Sequence, residues 1–133
     1  MTVIVNGLLI RDGHVLMAHR APTRRNYPAT WSFPGGHVKP GETNDHALVR
    51  ELIEELRIAA KTWSPLHHFT VADGPTFYLF RIDEWDGTPQ NIGTEHTDLR
   101  WMTYENAAAL PALTFPIYAK ILGDLQDAQP QGA

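Results

Sequence analysis

Glu51, Glu54 and Glu55 fall within one turn of a stretch patterned as a helix, and a Gly35-Gly36 corner stands ahead of them. Carboxylates this close on a helix repel one another unless a cation sits among them. Glycine has no Cβ to obstruct a close approach, so the corner can bring a backbone carbonyl to the same place. Mg²⁺ prefers oxygen ligands in near-octahedral geometry and often takes only one or two carboxylates with phosphate oxygens. These residue types point to a site for Mg²⁺ carrying a polyphosphate, with Mn²⁺ as a substitute ion. The chain has no cysteine and no His-x-x-x-His spacing. Neither a disulfide nor a zinc site has support.

The elements that must hold these groups follow from the pattern. Thr43 is placed to cap a helix over residues 44–56. Val49, Leu52, Ile53 and Leu56 recur at i, i+3, i+4 and i+7 and define an apolar face. At ~100° per residue the three glutamates cluster within a ~100° arc on the opposite side. The helix is therefore expected to pack the core with one face and offer its carboxylates with the other.

Residues 3–10 are almost continuously apolar and read as a buried strand. Asp12-Gly13 suits a tight hairpin, with residues 14–20 as the returning strand. Residues 21–30 read as a surface loop, and residues 31–33 as a short strand that Pro34-Gly35-Gly36 breaks. Residues 63–72 and 76–82 read as two more strands, then a long polar loop over 83–97 and a short strand over 99–102. Thr103 is placed to cap a helix through 109, and Pro116 to open a last helix to about 125.

Several side chains carry two readings each. His37 and Lys39, just after the corner, can touch phosphate or solvent. Arg24 and Arg25 are either solvated loop charges or part of a lid that meets phosphate or base. Trp31, Phe33, Phe77 and Tyr78 are either core or surfaces for stacking a nucleobase. His67-His68 reads as core or sheet-edge histidine.

The chain has 133 residues, enough for one domain with a real core, and its 43% hydrophobic content fits a globular protein. No apolar run approaches the ~20 residues of a membrane helix. The N-terminus lacks the pattern of a signal peptide, so a cytoplasmic location is expected. A net charge of −4 without a basic run speaks against a nucleic-acid polymer as partner. A small anionic ligand stays compatible, because a metal reverses the local field.

The acidic stretch resembles the Nudix box: Gly36, five spacers, Glu42, seven spacers, Arg50-Glu51, Leu52, one spacer, Glu54-Glu55, one spacer, a glycine, and Ile58. Eight of the nine defined positions match, and Arg57 stands where the family has the glycine. At average residue frequencies such a match is on the order of 10⁻⁸ per starting point, so the signal is strong. Trp31-Ser32-Phe33-Pro34-Gly35-Gly36 is similar to the family's lead-in. Glu95, six residues before Trp101-Met102, is similar to its late acidic loop residue.

The resemblance covers the chain from first strand to last helix. It implies an α/β fold, a Nudix-type α/β/α sandwich with a mixed central sheet flanked by helices. One domain is expected over residues 1–126, and the tail at 127–133, rich in Ala, Gln, Pro and Gly, is expected to be disordered. The resemblance implies hydrolysis of a phosphoanhydride in a nucleoside di- or triphosphate or a related nucleoside diphosphate derivative. Homodimers are common in the family.

By the same resemblance, Glu54, Glu55 and the Gly35 carbonyl bind the metal. Glu51 and Glu95 are either further ligands or the base that takes the proton of the attacking water, with Glu51 the first choice. Arg50 completes the catalytic candidates, orienting carboxylates such as Glu42 through a bidentate pair with Gly36 alongside. Arg20 stands where members place a phosphate-binding arginine. Thr114 stands where members that read oxidised guanine can place an asparagine, and a hydroxyl makes fewer paired contacts. Arg57 costs roughly 1 kcal/mol if the helix ends in a left-handed residue. Either that strain is accepted or the helix runs on. A non-catalytic nucleotide-binding sensor is the alternative, although such domains usually lose box carboxylates and this chain keeps them. An isoprenoid diphosphate isomerase shares the fold but calls for a cysteine that is absent.

Overall fold

The apolar run at the N-terminus forms strand β1 (Val3–Arg11), with Val5, Leu8 and Leu9 fully shielded from solvent. Asp12 and Gly13 follow with φ of 52° and 72°, the pair of left-handed residues a two-residue hairpin requires. The computed structural model describes residues 2–92 and 95–129. Residues 93–94 of the expected loop and 130–133 of the expected tail lie outside them. The chain divides into two units, Met1–Leu9 with Phe33–Gly93, and Ile10–Ser32 with Thr94–Ala133.

In the first unit β1 lies between β4 (Gly35–His37) and β6 (Thr76–Asp86), and β6 pairs in turn with β5 (Ala59–Thr70). The β1–β6 ladder is parallel from Val3↔Thr76 to Leu9↔Ile82 and the others are antiparallel, so the sheet is mixed. Phe77, Leu79, Phe80 and Ile82 are all buried, as a strand covered on both faces requires. Phe77 stacks on Phe69 at 5.1 Å, and Tyr78 on the sheet-edge His68 at 5.6 Å.

In the second unit β2 (His14–Arg20) pairs with β7 (His96–Thr103) on one side. On the other side it pairs with the end of β1 and with β3 (Trp31–Ser32). Thr103 caps α2 (Tyr104–Ala108), and α3 (Ile117–Asp127) follows Pro116 and buries Tyr118, Ile121, Leu122 and Leu125. The α/β class with a mixed sheet and flanking helices is the one expected. Among the described residues no helix is long and apolar enough to cross a membrane.

Three expectations need correction. The strand begun at Trp31 does break, at Phe33-Pro34, but Gly35 and Gly36 beyond the break form a new strand, β4, paired to β1 through Asn6↔Gly35 and Val5↔Gly36. Strand β6 runs on to Asp86, because Trp85 is buried and β5 supplies partners, with the Thr62 hydroxyl donating to Glu84. Strand β5 accordingly begins at Ala59 and β7 at His96, so the loop between β6 and β7 is shorter than residues 83–97.

The third correction concerns α1 (Asn44–Leu56), whose limits and Thr43 cap are as expected. Its packed face is Ala47, Leu48, Leu52, Glu55 and Leu56, while Ile53 is 50% exposed. The acidic arc does not oppose the core. Glu55 lies within the buried face, Glu51 at its edge and Glu54 toward solvent. Arg57 ends the helix at φ 57° and ψ 40°, its N–H bonded to the Leu52 and Ile53 carbonyls. The left-handed cap is kept without its glycine.

Candidate active site

Helix α1 crosses β4 with its acidic side down. The bonds Gly7 N–H to Pro34 O and Val38 N–H to Val3 O bracket the β1–β4 ladder. In antiparallel register, Gly35 and His37 must then aim their backbone groups away from β1. The helix takes up those groups. Gly35 N–H donates to Glu55 Oε2 at 3.0 Å, and the Arg50 guanidinium donates to the His37 carbonyl at 3.0 Å. The Gly35 carbonyl leaves the same strand edge. A Cβ on Gly35 would run into the Val5 carbonyl oxygen, and one on Gly36 would meet the Glu51 carboxyl group. Both glycines are required by close approach.

Arg50 organises the acids. Its Nε and Nη2 donate to the two Glu42 oxygens at 2.7 and 2.8 Å, the expected bidentate pair. Its Nη1 donates to Glu51 at 2.9 Å and to Glu54 at 3.1 Å, so one nitrogen gathers both carboxylates. The Glu42 side chain also accepts from Lys39 N–H at 2.8 Å. The Arg50 bond, then the Lys39 amide, hold the Glu42 carboxyl down to about 2. Glu42 in turn raises Arg50 above the ordinary guanidinium value. Arg50 stays charged, and Glu42 is a fixed anion.

The donor set suits a hard divalent cation. Three carboxylates and one outward backbone carbonyl are all oxygen, with no sulfur and no imidazole among them. Glu55 is shielded by the fold, Glu51 is 13% exposed in its side chain, and Glu54 is 52% exposed. The carboxylates thus run from one set in the protein to one facing solvent. His37 and Lys39 are exposed just beyond the corner.

The first unit thus brings together Gly35, Gly36, Glu42, Arg50, Glu51, Glu54 and Glu55. Phe33 is 2% exposed, and its carbonyl accepts from Asn6 Nδ2 at 2.8 Å. Its ring is core and offers no stacking surface.

The other candidates belong to the second unit. Glu95 accepts Ala21 N–H at its backbone carbonyl, 3.0 Å, and pairs its carboxylate with Arg24 at 3.1 Å. Arg20 donates through Nε to the Asn26 carbonyl at 2.9 Å, inside the loop it precedes. Arg25 is exposed. The Thr114 hydroxyl bonds the Trp31 carbonyl at 3.0 Å and the Thr30 hydroxyl at 2.8 Å. It ties its loop to the start of β3. Trp31 is edge-on to His19 at 4.9 Å with Arg100 over its ring at 5.7 Å.

Sequence reasoning missed two residues. His96 begins β7 next to Glu95, and burial pushes its imidazole toward the neutral form. Asn6, on β1, donates through Nδ2 to the Phe33 carbonyl. Its signal was there to find, as the one polar side chain in an otherwise apolar run.

The NUDIX domain family model matches residues 1–125. CTP pyrophosphohydrolase of Escherichia coli (strain K12) is 35% identical over 114 residues, 84% of this chain and 82% of that protein. Nucleoside triphosphatase NudI of Enterobacter sp. (strain 638) is 30% identical over 120 residues, 80% of this chain and 85% of that protein. The solution structure of the E. coli ORF135 protein is similar at a TM-score of 0.80 and 30% identity, covering 98% of this chain and 94% of that one.

Proposed function

The chain belongs to the Nudix hydrolases, and on that premise we propose a Mg²⁺-dependent enzyme, working in the cytoplasm, that cleaves a phosphoanhydride of a nucleoside di- or triphosphate. A related nucleoside diphosphate derivative falls within the same reading. The observation that carries it is the Arg50 fork, which holds Glu42, Glu51 and Glu54 against the glycine strand. Two relatives bear the names of nucleoside triphosphate hydrolases, and CTP is the first nucleotide to try.

Glu54, Glu55 and the Gly35 carbonyl are the groups that would hold the ion, with Glu51 at its edge. Mg²⁺ bound there would spread the charge of the phosphate oxygens and make a water easier to deprotonate. Glu51 is the first candidate for the base, since its carboxylate is fixed by Arg50 over Gly36 and needs no reorganisation to accept a proton. Glu95 is the second, as base or further ligand, with Arg24 bonded to its Oε1. His37 and Lys39, exposed beyond the corner, are the first candidates to meet phosphate. Arg20 and Arg25 are the cations the second unit offers. The product is a nucleotide shortened at the broken anhydride, with the attacking oxygen on phosphorus.

The test is a panel of the ribo- and deoxyribonucleoside triphosphates, oxidised forms and sugar-linked nucleoside diphosphates, with Mg²⁺ and Mn²⁺ compared and both phosphate and pyrophosphate measured. Turnover is expected, and Glu54→Gln and Glu55→Gln are expected to fold yet lose at least about 100-fold in kcat. Wild-type rate in either variant would remove the metal site. Nucleotide binding with no product across the whole panel would make the chain a sensor.

A further inference from the structure

Asn6 stands alone as a polar side chain in the core of β1, 6% exposed. Its Nδ2 donates to the Phe33 carbonyl at 2.8 Å. That bond fixes the amide, since turning it over would set oxygen against oxygen. Oδ1 is therefore committed as an acceptor. It is buried, and no donor among the described residues reaches it.

Side chains alternate along a strand. A Cβ on Gly7 would touch Leu48 and Ile82, so Gly7 faces α1, and Asn6 with Leu8 faces the other side of the sheet. Its lateral partner on β6 is Leu79, 1% exposed. Its partner on β4 is Gly35, whose carbonyl is a candidate metal ligand. A lone acceptor among leucines is costly to bury.

We propose that Asn6 determines specificity: its Oδ1 accepts an N–H of the nucleobase whose phosphate chain is held at the neighbouring Gly35 corner. The inference rests on the nucleotide hydrolase reading above. The common bases carry such a donor as an exocyclic amine or a ring imino group.

The test compares wild type, Asn6→Leu and Asn6→Ala on CTP, UTP, GTP, ATP and base-free ribose 5-triphosphate. Mn²⁺ affinity by electron paramagnetic resonance and melting temperature are read in parallel. The kcat/KM on the preferred nucleotide is expected to fall about tenfold or more. The base-free compound and Mn²⁺ affinity should change by less than about twofold. An equal loss on the base-free compound, or weakened Mn²⁺ binding, would make Asn6 a mere brace of the corner and overturn the proposal. Unchanged rates on all four nucleotides would also overturn it.

Should the variants fail to fold, wild type is assayed with the preferred nucleotide methylated at its base N–H groups, and the same factor must be lost. If wild type binds nucleotides without cleaving them, the hydrolase reading fails while affinities from calorimetry judge Asn6 by the same ratio. If it binds none, both fall.

Discussion

Gly36 lies directly against the carboxyl group of Glu51: a Cβ built on the glycine would sit 2.5 and 2.6 Å from the two carboxylate oxygens. The contact joins β4 to α1 at the point where the chemistry is assigned. Even the smallest side chain must push Glu51 aside or lift the helix. Gly36→Ala is expected to cost roughly 1–3 kcal/mol as an overpacked site. Because the displaced group is the candidate base, kcat should fall about 100-fold, the usual result of a misplacement near 1 Å. Turnover and denaturant melts on the same preparation check this. A variant with unchanged kcat would place the base elsewhere, with Glu95→Gln the next to measure.

Arg50 makes five bonds with one guanidinium, to Glu42, Glu51, Glu54 and the His37 carbonyl. A lysine keeps the charge but not the planar fork. Arg50→Lys should therefore leave Glu51 and Glu54 unanchored while much of the local charge balance survives. Mn²⁺ affinity is expected to weaken about 10- to 100-fold, the scale found when groups that orient ligands are removed. Titration of Mn²⁺ into the folded variant reads this directly. Wild-type affinity would mean the glutamates hold their places without the arginine.

Helix α1 shows how far local and non-local information separate. Its limits and its Thr43 cap follow from residues adjacent in sequence, and the expected span is the observed one. Its orientation does not. Ala47, Leu48, Leu52 and Leu56 satisfy the helical period as well as Val49, Leu52, Ile53 and Leu56 do. What turns the helix is β4, which offers a surface without side chains and two outward backbone groups that Glu55 and Arg50 bind. Strand β4 was itself hidden, because glycine is a poor strand former and its pairing with β1 becomes visible only in three dimensions. The acids, the arginine and the glycines of the site were all legible from their spacing. His96 was not, since it belongs to no pattern, and Asn6 showed only as the one polar side chain of an apolar run.

Arg57 offers a gain in stability at the end of the same helix. It holds φ 57° with a side chain that pays the left-handed penalty, and its N–H still makes the cap bonds to Leu52 and Ile53. Glycine there should keep the bonds and relieve the strain. Arg57→Gly is expected to stabilise by about 1 kcal/mol, partly offset by the greater freedom of the unfolded chain. Activity should stay unchanged, because Arg57 carries none of the assigned groups. Chemical denaturation and kcat/KM together test this, and a lower midpoint would show that the arginine side chain makes a contact worth more than the strain.

The Glu42–Arg50 pair should leave a mark on acid unfolding. The Glu42 carboxyl titrates at about 2 in the folded chain, below its ordinary value of 4.5. The folded state therefore favours the ionised form. Its contribution is complete above pH 4.5 and is lost as pH falls toward 2. Melting temperatures of wild type and Glu42→Gln, measured without divalent ions, should differ by a constant amount from pH 7 to about pH 5. Below that the curves should converge, and near pH 2 most of the difference should be gone. A gap already closed at pH 5 would mean that Glu42 is not held as an anion by Arg50. A gap that persists undiminished at pH 2 would mean that glutamine disturbs the turn for steric reasons alone. Only convergence between those limits fits a carboxylate fixed by the fork that also positions Glu51 and Glu54.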